Sequence, residues 1–169
     1  MDFIQKEHEV CTFNHYADMD HDMMEKINFH KEFDSLITKF VTEEPKDIVQ
    51  KICTSLEKQR IKIYAVVDHQ SDMDTAQVFS YPAFTIIFGN PRMGSKLLKK
   101  LPIAAVDIPL RIAVIRSESG KGSSIIFRDM EYLFKEYIKI VGELRDWAQE
   151  INHILINLVE QSISGGDKK

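Results

Sequence analysis

The most constraining feature of this chain lies at residues 84–116, where an apolar strand leads directly into a helix start. FTIIF at residues 84–88 is a short run of β-branched and aromatic residues, which is typical of a buried strand. Gly89 ends that strand, Asn90 suits an N-cap, and Pro91 suits the first helical position because its missing N–H is no loss there. The stretch therefore predicts a buried strand followed at once by a short helix.

Strand-like and helix-like runs alternate along the rest of the chain. Strand-like runs begin near residues 36, 61, 84, 110 and 123, and apolar residues at helical spacing begin near residues 46 and 130. We therefore predict an α+β core domain at residues 34–139, with a mostly antiparallel sheet covered on one side by helices. An acidic, His-rich N-terminal arm at residues 1–33 and a C-terminal helical extension with a polar tail at residues 140–169 complete the predicted organisation.

Composition excludes several classes of protein. The net charge of −4 argues against a dedicated nucleic-acid binder, since such proteins usually carry a strongly basic face. No apolar stretch approaches transmembrane length, and the first ten residues lack the pattern of a signal peptide. Two cysteines, Cys11 and Cys53, do not make a disulfide framework. We predict a cytoplasmic protein with no cofactor and no nucleic-acid or membrane partner.

The N-terminal arm has a composition of its own. It carries eight acidic residues against three lysines, together with four of the six histidines of the chain. His8, Cys11 and His15 lie close in sequence and are metal-ligand types. Their spacing matches no closed zinc pattern, so we predict an acidic arm without a metal site, and metal binding remains the alternative.

Positive charge is concentrated at residues 88–116, which hold six Lys or Arg residues and one acid. A helix that begins at Asn90 presents unpaired N–H groups and partial positive charge, and such helix starts suit anions. Arg92 adds a full charge there, and Ser95 adds a hydroxyl. The alternative is that Gly-Asn-Pro is only a strand-to-helix turn.

Two further pairs of polar residues stand at predicted strand ends. Asp68 and His69 follow an apolar strand and can support acid–base chemistry, although Asp68 can equally cap the next helix. Asp107 and Arg111 flank a proline bend at Pro109. They can form an ion pair that holds the bend, or they can face a ligand.

Four motifs resemble domain-of-unknown-function family 302. They are VVDHQ at 66–70, IFGNPRMGSKLL at 87–98, DIPLRIAV at 107–114 and FRDMEYL at 127–133, in the order and spacing of that family. The resemblance covers residues 35–139 and implies a compact α+β domain similar to the TATA-binding-protein-like fold. It implies no activity, because the family is uncharacterised.

The C-terminal part shows a long helical pattern. From Met130 to Leu158 apolar residues recur in alternating steps of four and three, which is typical of a helix packed on another helix. We predict one long helix whose part beyond Ile140 runs past the core and makes a homo-oligomer. The alternative is that this helix folds back on its own domain.

These observations predict a small-ligand-binding domain that self-associates and takes an anionic or polar ligand. The predicted ligand-binding residues are Asp68, His69, Asn90, Arg92, Ser95, Asp107 and Arg111. One alternative is an enzyme that uses Asp68, His69 or Asp107 in acid–base chemistry. Another is a structural or interaction protein that works through its C-terminal helix. No nucleophile–base motif, phosphate loop or metal signature assigns a reaction.

Overall fold

Five β-strands and six α-helices follow one another along residues 35–164, the part of the chain that this computed structural model describes. Their bounds are β1 (Leu36–Val41), α1 (Pro45–Lys58), β2 (Lys62–Asp68), α2 (His69–Thr75), β3 (Ala83–Gly89), α3 (Pro91–Lys100), a 3₁₀ helix (Pro102–Val106), β4 (Leu110–Arg116), β5 (Ser123–Arg128), α4 (Met130–Leu133), α5 (Lys135–Ile140) and α6 (Leu144–Ser164). The predicted α+β class is confirmed.

The strands form one antiparallel sheet in the order β1-β5-β4-β3-β2. Successive residues of a strand point to opposite faces, and one face of this sheet is mainly apolar. Phe84, Ile86 and Phe88 of β3 are buried on it beside Ile112 and Val114 of β4. The core lies between this face and the helices, with α1 packed on both the sheet and α6.

The C-terminal region differs from the single long helix that we predicted. The chain leaves helical geometry at Phe134 and again at residues 141–143, giving α4, α5 and α6. Gly142 lies in the second break, where its lack of a side chain weakens helix propensity. The breaks bring Phe134 and Trp147 together with ring centroids 5.9 Å apart. In one continuous helix these residues would stand about 20 Å apart along the axis.

Helix α6 is part of the same core as the sheet. We predicted that the core domain ends at Lys139 and that the helix beyond it needs a partner chain. Instead, its apolar side packs on α1 and α4. Eight residues of this helix are buried within the chain: Leu144, Ala148, Ile151, Asn152, Leu155, Leu158, Val159 and Ser162. The apolar stripe is therefore used inside the fold, and loss of α6 would expose the surfaces of α1 and α4 on which it packs.

A buried polar junction fixes α6 to the start of α4. Asp129 caps α4, accepting from the N–H of Glu131 at 2.9 Å, and is only 2% exposed. The Asn152 side chain donates to Asp129 at 2.9 Å and accepts from the N–H of Met130, also at 2.9 Å. One amide side chain thus satisfies two groups of the β5–α4 connection and sets the position of α6.

The β4–β5 hairpin closes through two glycines in left-handed geometry. Gly120 has φ of +73° and Gly122 has φ of +74°. The N–H of Ser117 donates to the carbonyl of Gly122 at 3.1 Å, which closes the hairpin. Gly122 also lies against β1, so that a Cβ atom placed there would be 2.2 Å from the carbonyl oxygen of Val41.

Two predictions concern features beyond the sheet and its helices. Within residues 35–164 no helix combines the length and the apolar character needed to cross a bilayer. The same part of the chain holds no group of three His, Cys, Asp or Glu side chains placed to bind a metal ion. The predicted acidic arm, with His8, Cys11 and His15, lies outside the described residues.

Candidate ligand-binding site

A cavity of about 1200 Å³ opens between α3, α6 and the adjoining ends of β2, β3 and β4. We call it the apolar cavity, because carbon-rich side chains dominate its walls. They come from β3 (Phe88), from α3 (Met93 and Leu98), from the break between α4 and α5 (Phe134) and from α6 (Trp147, Ile151, Ile154 and Leu158). Trp147 is the single tryptophan of the chain.

Few polar side chains of the described residues reach the apolar cavity. Those on its walls are Gln59, Tyr64, Asn90, Ser95, Lys99 and Glu150. A site of this kind holds a molecule chiefly by removing its apolar surface from water, and a small number of polar groups fixes its orientation.

Helix α3 offers fewer free donors at its start than the sequence suggests. Asn90 is the predicted N-cap, and its side-chain oxygen accepts from the N–H of Arg92 at 3.0 Å. Its carbonyl accepts from the N–H of Gly94 at 2.9 Å, and Pro91 has no N–H. Most of the donors that could meet an anion are thus satisfied within the helix. Gly94, in the first turns of this helix, lies close to Ile108: a Cβ atom placed at Gly94 would be 3.7 Å from the Ile108 Cδ1 atom.

A second, smaller cavity of about 390 Å³ lies beside the first. We call it the arginine cavity, because Arg111 and Arg128 both line it. Thr85 and Asp107 are its other polar side chains that can donate or accept hydrogen bonds. Four residues border both cavities: Pro109, Leu110, Met130 and Leu155. The two cavities therefore share one wall, built from the start of β4 and from α4 and α6.

The pair Asp68 and His69 does not form an acid–base unit. Asp68 caps α2, and its Oδ1 accepts from the N–H of Ser71 at 3.0 Å, as the capping alternative predicts. The Nε2 atom of His69 lies 2.8 Å from the hydroxyl of Thr85. Each side chain thus has its own structural partner.

Asp107 has a partner other than Arg111. Its Oδ2 accepts from the hydroxyl of Tyr137 at 2.7 Å. Within residues 35–164 Asp107 and Arg111 form no ion pair, although both line the arginine cavity. The hydrogen bond to Asp107 raises the pKa of the Tyr137 hydroxyl above its ordinary value.

That hydrogen bond predicts a pH dependence. Because the folded-state pKa of Tyr137 is raised, the bond stabilises the fold fully below the ordinary tyrosine pKa of about 10, and this contribution is lost as the pH rises through the raised value. Tyr137→Phe should therefore reduce the loss of stability in alkali, measured by urea unfolding below and above about pH 10. Tyr132→Phe is the control, because Tyr132 donates no hydrogen bond to an acid within the described residues. Equal alkaline losses in the two variants would contradict the assignment.

Four of the seven predicted site residues line one of the two cavities. Asn90 and Ser95 line the apolar cavity, while Asp107 and Arg111 line the arginine cavity. His69 reaches the arginine cavity only through Thr85, and Asp68 and Arg92 line neither cavity. That these residues bind a ligand remains a prediction.

The sequence did not single out Phe134, Trp147 or Arg128 as residues of the site. Phe134 and Trp147 belonged to a pattern that we assigned to a helix interface, and only the break near Gly142 brings them to a cavity. Arg128 stood inside the FRDMEYL motif and was a usable signal. Its alternation with buried Phe127 on β5 places it on the opposite sheet face.

The comparisons with known proteins agree with this fold. The family model described as Domain of unknown function DUF302 matches residues 37–162, which confirms the resemblance predicted from four motifs and extends it into α6. The chain is similar to a crystal structure of the uncharacterized conserved protein DUF302 from Bacillus stearothermophilus. That similarity has a TM-score of 0.67 and 15% identity, and it covers 75% of this chain and 97% of that chain. No curated protein matches. At this identity the structural likeness shows the fold alone.

Proposed function

Because this chain belongs to the family Domain of unknown function DUF302, whose name assigns no activity, we propose from the site itself that the domain binds a small, largely apolar molecule. The observation that carries the proposal is the apolar cavity, whose walls combine aromatic and aliphatic side chains from β3, α3 and α6. Its volume of about 1200 Å³ is somewhat above the range of about 300–1000 Å³ that is usual for small-molecule sites.

The walls of the cavity favour an apolar ligand body, whereas the sequence predicted an anionic or polar ligand. Phe134 and Trp147 stack on each other with an interplanar angle of 10°, and both contribute to the aromatic part of the cavity wall. Asn90 and Ser95 lie on the α3 side, where a polar group of the ligand can hydrogen-bond. Burial of apolar surface contributes about 25 cal/mol per Å², so a ligand of this kind gains most of its affinity from the cavity walls.

Trp147 provides a direct binding measurement. We expect the neutral probe N-phenyl-1-naphthylamine to bind the full chain and to accept excitation energy from Trp147, the only tryptophan. The tryptophan emission should fall as the probe emission rises, and decanol should compete. If the probe shows no saturable energy transfer, the proposed function is wrong.

A substitution that fills the cavity makes the test specific. Gly94→Leu should weaken probe binding at least about tenfold, since the added side chain extends from α3 into the space that the ligand would occupy. Gly142→Leu is the matched control, because a Cβ at Gly142 meets nothing within 4 Å and Gly142 lines neither cavity. Thermal unfolding checks that both variants fold. Equal probe affinity in the two variants would contradict this location of the site.

Self-association and a cytoplasmic location stay as predictions from the sequence. The helix stripe that suggested a homo-oligomer is occupied by α1 and α4, so an interface between two copies would need other surfaces. Light scattering of the full chain at micromolar concentration tests the oligomer, and a monomeric mass would contradict it.

A further inference from the structure

We propose that Arg111 and Arg128 bind the anionic group of a carboxylate or phosphate ligand in the arginine cavity. The two residues belong to neighbouring strands, β4 and β5. Ile112 pairs with Phe127 in the antiparallel register, so one step further along the same register Arg111 stands beside Arg128. Both arginines alternate with buried residues and therefore leave the sheet on the face opposite the core.

Like charges at cross-strand positions repel each other. Neither arginine forms an ion pair within residues 35–164. Arg128 donates to the hydroxyl of Ser35 at 3.2 Å, which is a neutral partner. The guanidinium groups thus keep most of their donor capacity, in a planar arrangement that matches carboxylate and phosphate oxygens.

Apolar side chains border the two arginines, which are both exposed to solvent in the structure. Pro109, Ala113, Ile126 and Leu133 supply these walls, and a ligand that displaces water from them would interact more strongly with the two charges. Thr85 adds a hydroxyl that is held by His69 at 2.8 Å. The volume of about 390 Å³ accommodates a compact anionic group.

One carboxylate, Asp107, also faces this cavity and opposes an incoming anion. Its Oδ2 is the acceptor of the Tyr137 hydroxyl, which directs part of its charge away from the arginines. The lining therefore holds two cations and one anion, and an incoming monoanion completes the balance. We therefore expect Asp107→Asn to tighten anion binding, because it removes the negative charge and keeps an acceptor for Tyr137.

Two sources of the anionic group fit the geometry. The first is a free small anion. The second is the head group of an amphiphile whose apolar part lies across the shared wall of Pro109, Leu110, Met130 and Leu155, in the apolar cavity. The second source rests on the function proposed above, whereas the first does not.

Thermal unfolding of the full chain tests the anion site independently of the apolar cavity. Phosphate and acetate are each compared with sodium chloride at the same ionic strength. We expect the Tm to rise by about 5 °C at ten times the Kd of the bound anion. Arg111→Gln and Arg128→Gln should each weaken the anion at least about tenfold, and Asp107→Asn should strengthen it.

Arg145→Gln is the charge-matched control, because Arg145 is exposed and lines neither cavity. It should respond as the wild type does. No shift beyond that of sodium chloride with any of phosphate, acetate or decanoate, or equal losses in Arg145→Gln and Arg111→Gln, would overturn the proposal.

Decanoate and decanol distinguish a free small anion from the head group of an amphiphile. Binding of each is measured by displacement of the neutral probe near Trp147. If the ligand is an amphiphile, decanoate should displace the probe better than decanol does. Arg111→Gln should then remove the preference for decanoate and leave displacement by decanol unchanged. A free anion predicts that phosphate or acetate raises the Tm while decanoate and decanol compete equally. Binding of decanol without any effect of an anion would leave the proposed function intact and would refute the arginine site.

Discussion

Gly122→Ala is expected to destabilise the fold by about 3 kcal/mol or more. Two costs combine at this position. The backbone φ of +74° is unfavourable for a residue with a Cβ, and that Cβ would lie 2.2 Å from the carbonyl oxygen of Val41. The obstacle is backbone of β1, which is held in its ladder with β5, so it cannot rotate away as a side chain can. Urea unfolding measures the loss.

Gly120→Ala separates the two costs. Gly120 has nearly the same φ, +73°, but a Cβ there meets nothing within 4 Å. We expect a loss of about 1 kcal/mol from the backbone conformation alone. Losses of equal size in the two variants would contradict the steric argument, because the difference between them reports the contact with β1.

Asn152→Ala is expected to cost about 3 kcal/mol. The substitution removes the acceptor of the Met130 N–H and the donor to Asp129, and both partners lie in a buried junction. Asn152 is 8% exposed, so water cannot easily replace its amide. Because α6 is positioned through this residue, we also expect weaker binding of the apolar probe to the variant.

Asn157→Ala is the matched control on the same helix. Asn157 is exposed on α6 and makes no hydrogen bond through its side chain within residues 35–164. Its replacement should change the free energy of unfolding by less than about 0.5 kcal/mol. Equal destabilisation by the two variants would mean that helix propensity, and not the buried junction, governs the effect.

Local patterns predicted the sheet and its connections well. FTIIF and the Asn90-Pro91 start depend on neighbouring residues only, and both appear as β3 and α3. The cap at Asp68 and the glycine hairpin before β5 have the same local origin. These elements could be predicted because their physical cause lies within a few residues of sequence.

The C-terminal region and the site could not be predicted in the same way. The apolar steps from Met130 to Leu158 fit one long helix as well as three, and tertiary packing at Phe134 decides between them. The division of the predicted site residues into two cavities depends on where α6 lies. That position follows from the contact of Asn152 with Asp129, which joins residues far apart in sequence.

The strand order also determines when the sheet can close during synthesis. Within the described residues β1 pairs only with β5, so β1 cannot join the sheet until β5 has been synthesised. The β2–β3–β4–β5 meander needs shorter loops, and loop closure favours its earlier formation. Until β5 emerges, β1 presents unpaired backbone groups that another chain can capture. Folding of the nascent domain therefore depends on rapid synthesis of its C-terminal half. Slow translation between β4 and α6 would leave β1 open to pairing with another chain.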